Sequence, residues 1–227
     1  MSILRVLLVF FLSAGLAQAG AWPRGKGQTF VTLSYTASGD PATLGTSAFD
    51  PRGYLALMVE HGLGDRLTFG IEAGRADDGD GKVLAYLGYA LGPPDATHRF
   101  ALMAGLGQAR HGGRDEPVLQ FGAAWGRGIS TRWGNGWIAA DGAVRYRLET
   151  EGIVAKLDLT VGIKPFDRAK LFVQVQAGRY PDADPYLRVV PSVAYRIAPG
   201  RHIELGVPVG LAGDNSVGVK IGTWLEF

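Results

Sequence analysis

The four histidines are the side chains best suited to acid–base chemistry in this sequence, but their neighbours do not favour catalysis. A nucleophilic serine needs a histidine within hydrogen-bond reach, and on a β-strand the nearest side chain on the same face lies two positions away. His61, His98, His111 and His202 are followed at that spacing by Leu63, Phe100, Gly113 and Glu204. We therefore expect no enzyme. A lipid-modifying hydrolase whose catalytic partners are distant in the sequence stays open as a lesser alternative.

The sequence predicts neither a metal site nor a cofactor. It contains no Cys, which excludes disulfides, thiolate zinc sites and iron–sulfur clusters. Asp77-Asp78-Gly79-Asp80-Gly81 resembles the start of a calcium-binding EF-hand loop, but the twelfth position counted from Asp77 is Gly88, where a glutamate is required. The 23 basic and 21 acidic residues nearly balance, so no nucleic-acid partner is expected either.

Charged residues recur at every second position inside otherwise apolar segments. In the last segment Val217, Val219 and Ile221 alternate with small or charged residues that include Lys220 and Glu226. This two-residue period predicts β-strands with one apolar and one polar face. Twelve such segments are bounded by turn residues: 27–36, 52–62, 66–76, 82–91, 99–110, 117–128, 136–148, 152–164, 169–180, 185–198, 201–212 and 216–227.

The length of these segments distinguishes two all-β architectures. Most contain 10 to 14 residues, which is the length that crosses a tilted bilayer and about twice that of a strand in a soluble protein. The strands of a soluble sandwich or lipocalin-like barrel also alternate apolar and polar residues. In lipid, however, only a closed sheet without free edges is stable. We therefore predict an all-β transmembrane antiparallel up-and-down barrel of 12 strands. Pro191 and Pro208 fall inside two of these strands, and we predict β-bulges there.

Residues 1–19 predict a cleaved secretory signal peptide. Arg5 precedes an apolar run, and the small residues of Ala17-Gln18-Ala19 fit cleavage after Ala19. The apolar run is too short for a membrane anchor. Residues 20–227 are then expected to form a single β-barrel domain.

The exported chain resembles the outer-membrane β-barrels of Gram-negative bacteria. The resemblance depends on the signal sequence, the even strand count and the alternating last segment, which ends in the carboxy-terminal Phe227. It implies that Phe227 is an assembly signal for the barrel assembly machinery, and that both termini lie in the periplasm. The outer loops would then be 37–51, 77–81, 111–116, 149–151, 181–184 and 213–215, and the periplasmic turns 63–65, 92–98, 129–135, 165–168 and 199–200.

Acidic residues concentrate in the expected outer loops. These loops hold 12 of the 21 acidic residues: Asp40, Asp50, Asp77, Asp78, Asp80, Asp115, Glu116, Glu149, Glu151, Asp182, Asp184 and Asp214. Their carboxylates could join divalent cations that bridge lipopolysaccharide, although solvated loops are often simply acidic. Outer-membrane lipid and lipopolysaccharide are the expected surroundings.

The remaining charges predict the function. Charges are costly in lipid, so those within strands should face the lumen. The predicted lumen-lining residues are Glu60, Glu72, Asp141, Arg145, Lys156, Asp158, Arg188, Glu204 and Lys220. Because Arg145, Lys156, Arg188 and Lys220 make one wall basic, we expect a passive channel for small polar or anionic solutes. The alternative is a non-conducting structural barrel whose luminal charges pair as a salt-bridged plug.

Overall fold

A computed structural model describes residues 20–181 and 183–227. The predicted signal peptide lies outside the described residues. Apart from one 3-10 turn at Pro41–Thr43, the regular structure of these residues is β. The strands are β1 (Thr29–Gly39), β2 (Arg52–Gly62), β3 (Leu67–Ala76), β4 (Gly81–Leu91), β5 (His98–His111), β6 (Arg114–Thr131), β7 (Gly134–Arg147), β8 (Ile153–Phe166), β9 (Ala169–Arg179), β10 (Tyr186–Ala198), β11 (Arg201–Gly206), β12 (Val209–Ala212) and β13 (Val217–Glu226).

The sheet closes on itself as an antiparallel barrel. Each strand from β1 to β10 pairs with the next strand in the sequence, and β1 pairs with β13 from Phe30 opposite Glu226 to Gly39 opposite Val217. Strands β11 and β12 both lie between β10 and β13, as two halves of one barrel strand. The prediction of a closed 12-strand up-and-down barrel is thus confirmed. No helix in the described part of the chain is long and apolar enough to span a membrane.

The predicted bulges at the two strand prolines are wrong. The register between β10 and the β11–β12 strand is unchanged across Pro191 and Pro208, and it shifts only near the ends of β10. The reason is that the carbonyl oxygen of each proline still accepts a hydrogen bond from the next strand. Val207 N–H donates to Pro191 O at 3.0 Å, and Gly218 N–H donates to Pro208 O at 3.0 Å. Each proline therefore removes a single ladder donor, which requires no extra residue.

The two faces of the sheet differ in exposure. On β13, Val219 and Ile221 are 60% and 53% exposed on the outer face, whereas Trp224 on the inner face is 8% exposed. The outer face of β8 is similarly apolar and exposed at Leu157, Leu159 and Val161. An apolar outer surface of this kind requires a lipid environment, so the strand alternation positions polar side chains in the lumen.

Inward-facing aromatic rings lie over glycines of the adjacent strands. A Cβ atom added to Gly162 would lie 2.3 Å from the ring of Trp137, and one added to Gly70 would lie 2.1 Å from the ring of Tyr86. These glycines leave space that a ring on the next strand fills, so they help to fix the register.

Replacing Gly162 should therefore destabilise the barrel. We expect Gly162→Val to lower the free energy of unfolding by about 1–3 kcal/mol, because the new side chain overlaps Trp137 and overpacks the lumen. Urea unfolding in lipid vesicles, followed by tryptophan fluorescence, measures the change. Gly142→Val is the matched control, because a Cβ atom there has no neighbour nearer than 3.8 Å. Equal losses in the two variants would contradict the account.

Candidate functional site

The barrel lumen is the candidate functional site, and its two ends need names. The terminal rim is the end where β1 begins and β13 ends. The distal rim is the opposite end, which carries the loop between β1 and β2. At the terminal rim the first and last strands are joined by a hydrogen bond of 3.0 Å from the N–H of Phe227 to Thr29 O.

The nine residues predicted to line the lumen all lie on the inward face of the sheet. The strand registers connect them: Asp141 is opposite Asp158, and Arg188 is opposite Gln176, which is itself opposite Asp158. Glu60, Arg145 and Glu204 are buried. Phe227, the predicted assembly signal, is 74% exposed at the terminal rim.

Glu60 is the centre of a buried ionic cluster in the terminal half of the lumen. Its carboxylate accepts a 2.7 Å hydrogen bond from Arg24 Nε and another of 2.7 Å from the Tyr86 hydroxyl. The side chains of Arg24 and Glu60 are 10% and 5% exposed. The Arg24 guanidinium also lies 4.2 Å from the centre of the Phe30 ring. Glu60 is therefore a paired group rather than an isolated charge in the lumen.

Arg24 belongs to an N-terminal segment, residues 20–26, that folds into the barrel. Ala21 is 1% exposed and packs on Ala101 and Ala124, which face the lumen from β5 and β6. Nearer the terminal rim, Arg24 N–H donates to Thr68 Oγ1 at 3.1 Å. The segment thus runs from the middle of the lumen to the terminal rim and narrows the barrel along that path. The sequence did not predict this segment, because it has no period and lies outside every predicted strand.

Aromatic side chains narrow the terminal half of the lumen from the other wall. Phe30 and Trp224 are 6.3 Å apart between ring centres, Trp224 and Phe172 are 5.7 Å apart, and Phe172 and Trp137 are 6.2 Å apart. These rings come from β1, β13, β9 and β7, so the cluster covers the wall from β7 round to β1. The indole N–H of Trp224 donates to Glu204 at 2.9 Å, which fixes the ring in place.

Several predicted lumen charges form ion pairs. Lys220 Nζ lies 2.7 Å from Glu204, and Arg188 Nε donates to Asp214 at 2.8 Å. Burial acts to raise the pKa of the Asp214 carboxyl, but hydrogen bonds from Ser216 and Arg188 hold it below its usual range. Arg188 and Lys220 are therefore neutralised locally.

Arg145 and Lys156 differ from the other lumen cations. Among the described residues, neither has a carboxylate within 4.0 Å; Arg145 donates to the neutral Gln120 at 2.8 and 3.1 Å. Glu72 pairs with Lys82 on the opposite wall. The charges of Arg145 and Lys156 also act on the Glu72 carboxylate, from beyond salt-bridge distance. Of the four residues predicted to form a basic wall, only these two are uncompensated, in the sense that no carboxylate of the described residues lies within 4.0 Å of them.

Ion pairs also occupy the distal rim. Arg110 and Asp115 approach to 2.6 Å, Arg114 and Glu149 to 2.9 Å, and His111 and Asp80 to 2.7 Å. No group of three or more His, Asp or Glu side chains in the described ranges has the geometry to hold a metal ion. Several acidic residues of the expected outer loops are therefore already paired with protein cations.

The described histidines contact no serine hydroxyl. His61 Nδ1 lies 2.9 Å from Thr29 Oγ1, and His98 Nδ1 accepts the indole N–H of Trp125 at 3.1 Å. His202 packs on Trp224. His61 and His98 are therefore rim residues, and His202 is a packing residue.

Comparison with known proteins identifies the fold. No protein-family model and no curated protein sequence matches the chain. Among solved structures, an outer membrane channel from Pseudomonas putida F1 matches with a TM-score of 0.60 and 12% identity, over 92% of this chain and 99% of that one. The KdgM porin in complex with oligogalacturonate matches with a TM-score of 0.57 and 8% identity, over 86% and 99%. This chain has the fold of an outer-membrane porin.

The same fold also occurs in an enzyme. Outer membrane phospholipase A from Escherichia coli matches this porin-like barrel with a TM-score of 0.53 and 14% identity, over 90% of this chain and 97% of that one. Because the fold serves both channels and an enzyme, the function must be argued from the luminal residues.

Proposed function

We propose that residues 20–227 form a passive channel of the outer membrane that admits small anionic solutes. The observation that carries this proposal is the pair of cations Arg145 and Lys156, which face the lumen without a carboxylate partner among the described residues. A buried charge is normally paired, so two uncompensated cations need either mobile anions or water beside them. Fixed charge of one sign on the wall of a pore favours ions of the opposite sign.

The narrow terminal half limits the solutes to small ones. The N-terminal segment and the aromatic cluster reduce the lumen from two sides, so we expect the passage to exclude oligomeric substrates. The orientation proposed with this function has both termini in the periplasm and the acidic distal rim at the lipopolysaccharide surface. Residues 1–19 would be removed on export, and Phe227 would be recognised during barrel assembly.

Solute flux tests the proposal. The chain beginning at Gly20 is refolded into liposomes, and osmotic swelling is compared for small solutes of matched size that are anionic, neutral or cationic. We expect the order of rates anionic, then neutral, then cationic, with no swelling above empty liposomes for a trisaccharide. Absence of swelling with every solute would instead favour the non-conducting structural barrel, in which the paired charges and the aromatic cluster close the lumen.

Neutralising the two uncompensated cations should weaken anion preference. In water, one unit charge at 4 Å contributes about 1 kcal/mol, which is about fivefold in local anion concentration. We therefore expect Arg145→Gln and Lys156→Gln each to lower the anion-to-cation permeability ratio by up to about fivefold. The reversal potential under a salt gradient measures this ratio.

Two control variants accompany that measurement. Arg110→Gln removes a cation that is paired with Asp115 at the exposed distal rim, and it should leave the reversal potential unchanged. The double variant Lys220→Gln with Glu204→Gln removes a luminal ion pair without changing the net charge of the lumen, so it should shift the potential less than Lys156→Gln does. A shift in Arg110→Gln as large as that in Lys156→Gln would show that net charge, rather than the two luminal cations, sets selectivity.

A further inference from the structure

Two luminal carboxylates lie side by side. Asp141 on β7 is directly opposite Asp158 on β8, on the same inward face. Like charges at directly opposite positions of a sheet repel each other. The Oδ1 atoms of both residues are buried, and neither has a hydrogen-bond partner in the described part of the chain. Each of these two oxygens could therefore accept a hydrogen bond from a further donor.

The groups that act electrostatically on Asp141 are also acidic. They are the carboxylates of Asp158 and Glu60. Asp158 differs, because Lys156 lies on the same face of its own strand and acts on it from there. Asp141 is thus the member of the pair that most needs a positive charge.

Gly20 lies directly against Asp141. A Cβ atom added to Gly20 would lie 1.8 Å from Asp141 Oδ1 and 2.9 Å from the Cβ atom of Ala124. Gly20 also has a φ of +91°, a conformation that favours glycine. The packing of Ala21 holds this end of the N-terminal segment at mid-depth in the lumen.

We propose that Asp141, together with Asp158, binds the α-ammonium group that is created at Gly20 when residues 1–19 are removed. This inference rests on the proposed processing of the chain, and it goes beyond the channel function. An ammonium group is cationic and has three donors, which matches two carboxylate oxygens that lack partners. In the unprocessed chain the same nitrogen is an uncharged amide with one donor. Removal of the signal peptide therefore locks the N-terminal segment into the lumen by a new ion pair.

Chemical labelling of the α-amine tests the pairing. The chain beginning at Gly20 is refolded in detergent, its first residue is confirmed by intact mass, and acetylation of the α-amine is followed by mass spectrometry. Only the uncharged amine reacts, so pairing with a carboxylate slows the reaction. We expect labelling in the unaltered protein to be slower than in Asp141→Asn by about tenfold or more, which is one unit of amine pKa. The exposed ε-amine of Lys26 is the internal control and should react equally in both.

Two results would overturn the proposal. One is an equal rate of Gly20 labelling in the unaltered protein and in folded Asp141→Asn. Should Asp141→Asn fail to fold, a chain with one extra serine before Gly20 moves the ammonium group and leaves Asp141 intact. We expect that extended chain to react at the faster rate, and slow labelling in it would equally overturn the pairing.

The processing step is tested separately. Protein isolated from outer membranes is analysed by intact mass, and we expect a chain that begins at Gly20. A different first residue would refute the proposed cleavage, and with it the pairing in the exported protein. Because labelling of the refolded chain requires neither export nor conduction, its failure is distinguishable from failure of the processing or of the channel function.

Discussion

Removal of residues 20–25 should raise the single-channel conductance several-fold. These residues include Ala21, which packs on luminal alanines, and Arg24, which reaches across to Glu60. Without them the aromatic cluster narrows the terminal half from one wall only. Gly27, whose N–H donates to Gly62 O at 2.8 Å, is retained, so the entry of the chain into β1 is preserved.

The conductance comparison needs a graded variant and a folding control. Trp22 lies against Gly126, where an added Cβ atom would be 2.2 Å from the indole ring. Trp22→Ala should therefore widen the lumen locally and raise conductance less than the deletion does. Each protein is first shown to be folded by its faster migration in unheated gel samples. Unchanged conductance in a folded deletion protein would mean that the N-terminal segment does not limit the passage.

Glu60→Ala is expected to cause the largest loss of stability. The substitution leaves the Arg24 guanidinium and the Tyr86 hydroxyl buried without their shared acceptor. Breaking a buried ion pair by removal of one partner costs about 3–5 kcal/mol, because an uncompensated charge stays inside. We expect a decrease of that size in the free energy of unfolding, measured by urea titration in lipid vesicles.

Two further variants identify the cause of that loss. Asp115→Ala breaks the exposed pair with Arg110, which solvent screens, and should lower the free energy of unfolding far less than Glu60→Ala does. The double variant Arg24→Met with Glu60→Leu replaces the buried pair by apolar side chains, and it should recover most of the stability that Glu60→Ala loses. Equal costs for Glu60→Ala and Asp115→Ala would contradict the assignment of Glu60 as a buried anchor.

The strands could be predicted because one physical constraint dominates them. A closed sheet in lipid must alternate apolar and polar residues, and the predicted segment 169–180 nearly coincides with β9 (Ala169–Arg179). The predicted strand ends are less accurate outside the apolar belt, where residues need not alternate. Segment 117–128 is longer in the structure, as β6 (Arg114–Thr131), because backbone pairing continues into both hairpins, from Arg114 opposite His111 to Thr131 opposite Gly134.

The luminal site could be predicted only in part. Alternation assigns a side chain to the inward face, so the charges of Arg145 and Lys156 could be located. It does not give the partner of a charge, and the neutralisation of Lys220 by Glu204 depends on the register between β11 and β13. The position of Arg24 could not be inferred at all, since it lies in an irregular segment that is held by contacts with distant strands.

Single-channel recording of the unaltered chain beginning at Gly20 tests the proposed function most directly. The refolded protein is inserted into a planar bilayer, and its reversal potential is measured under a salt gradient. We predict discrete openings of small conductance with a reversal potential of the sign that indicates anion preference. A preference for cations, or silence from a barrel shown to be folded, would contradict the account of an anion-selective passage.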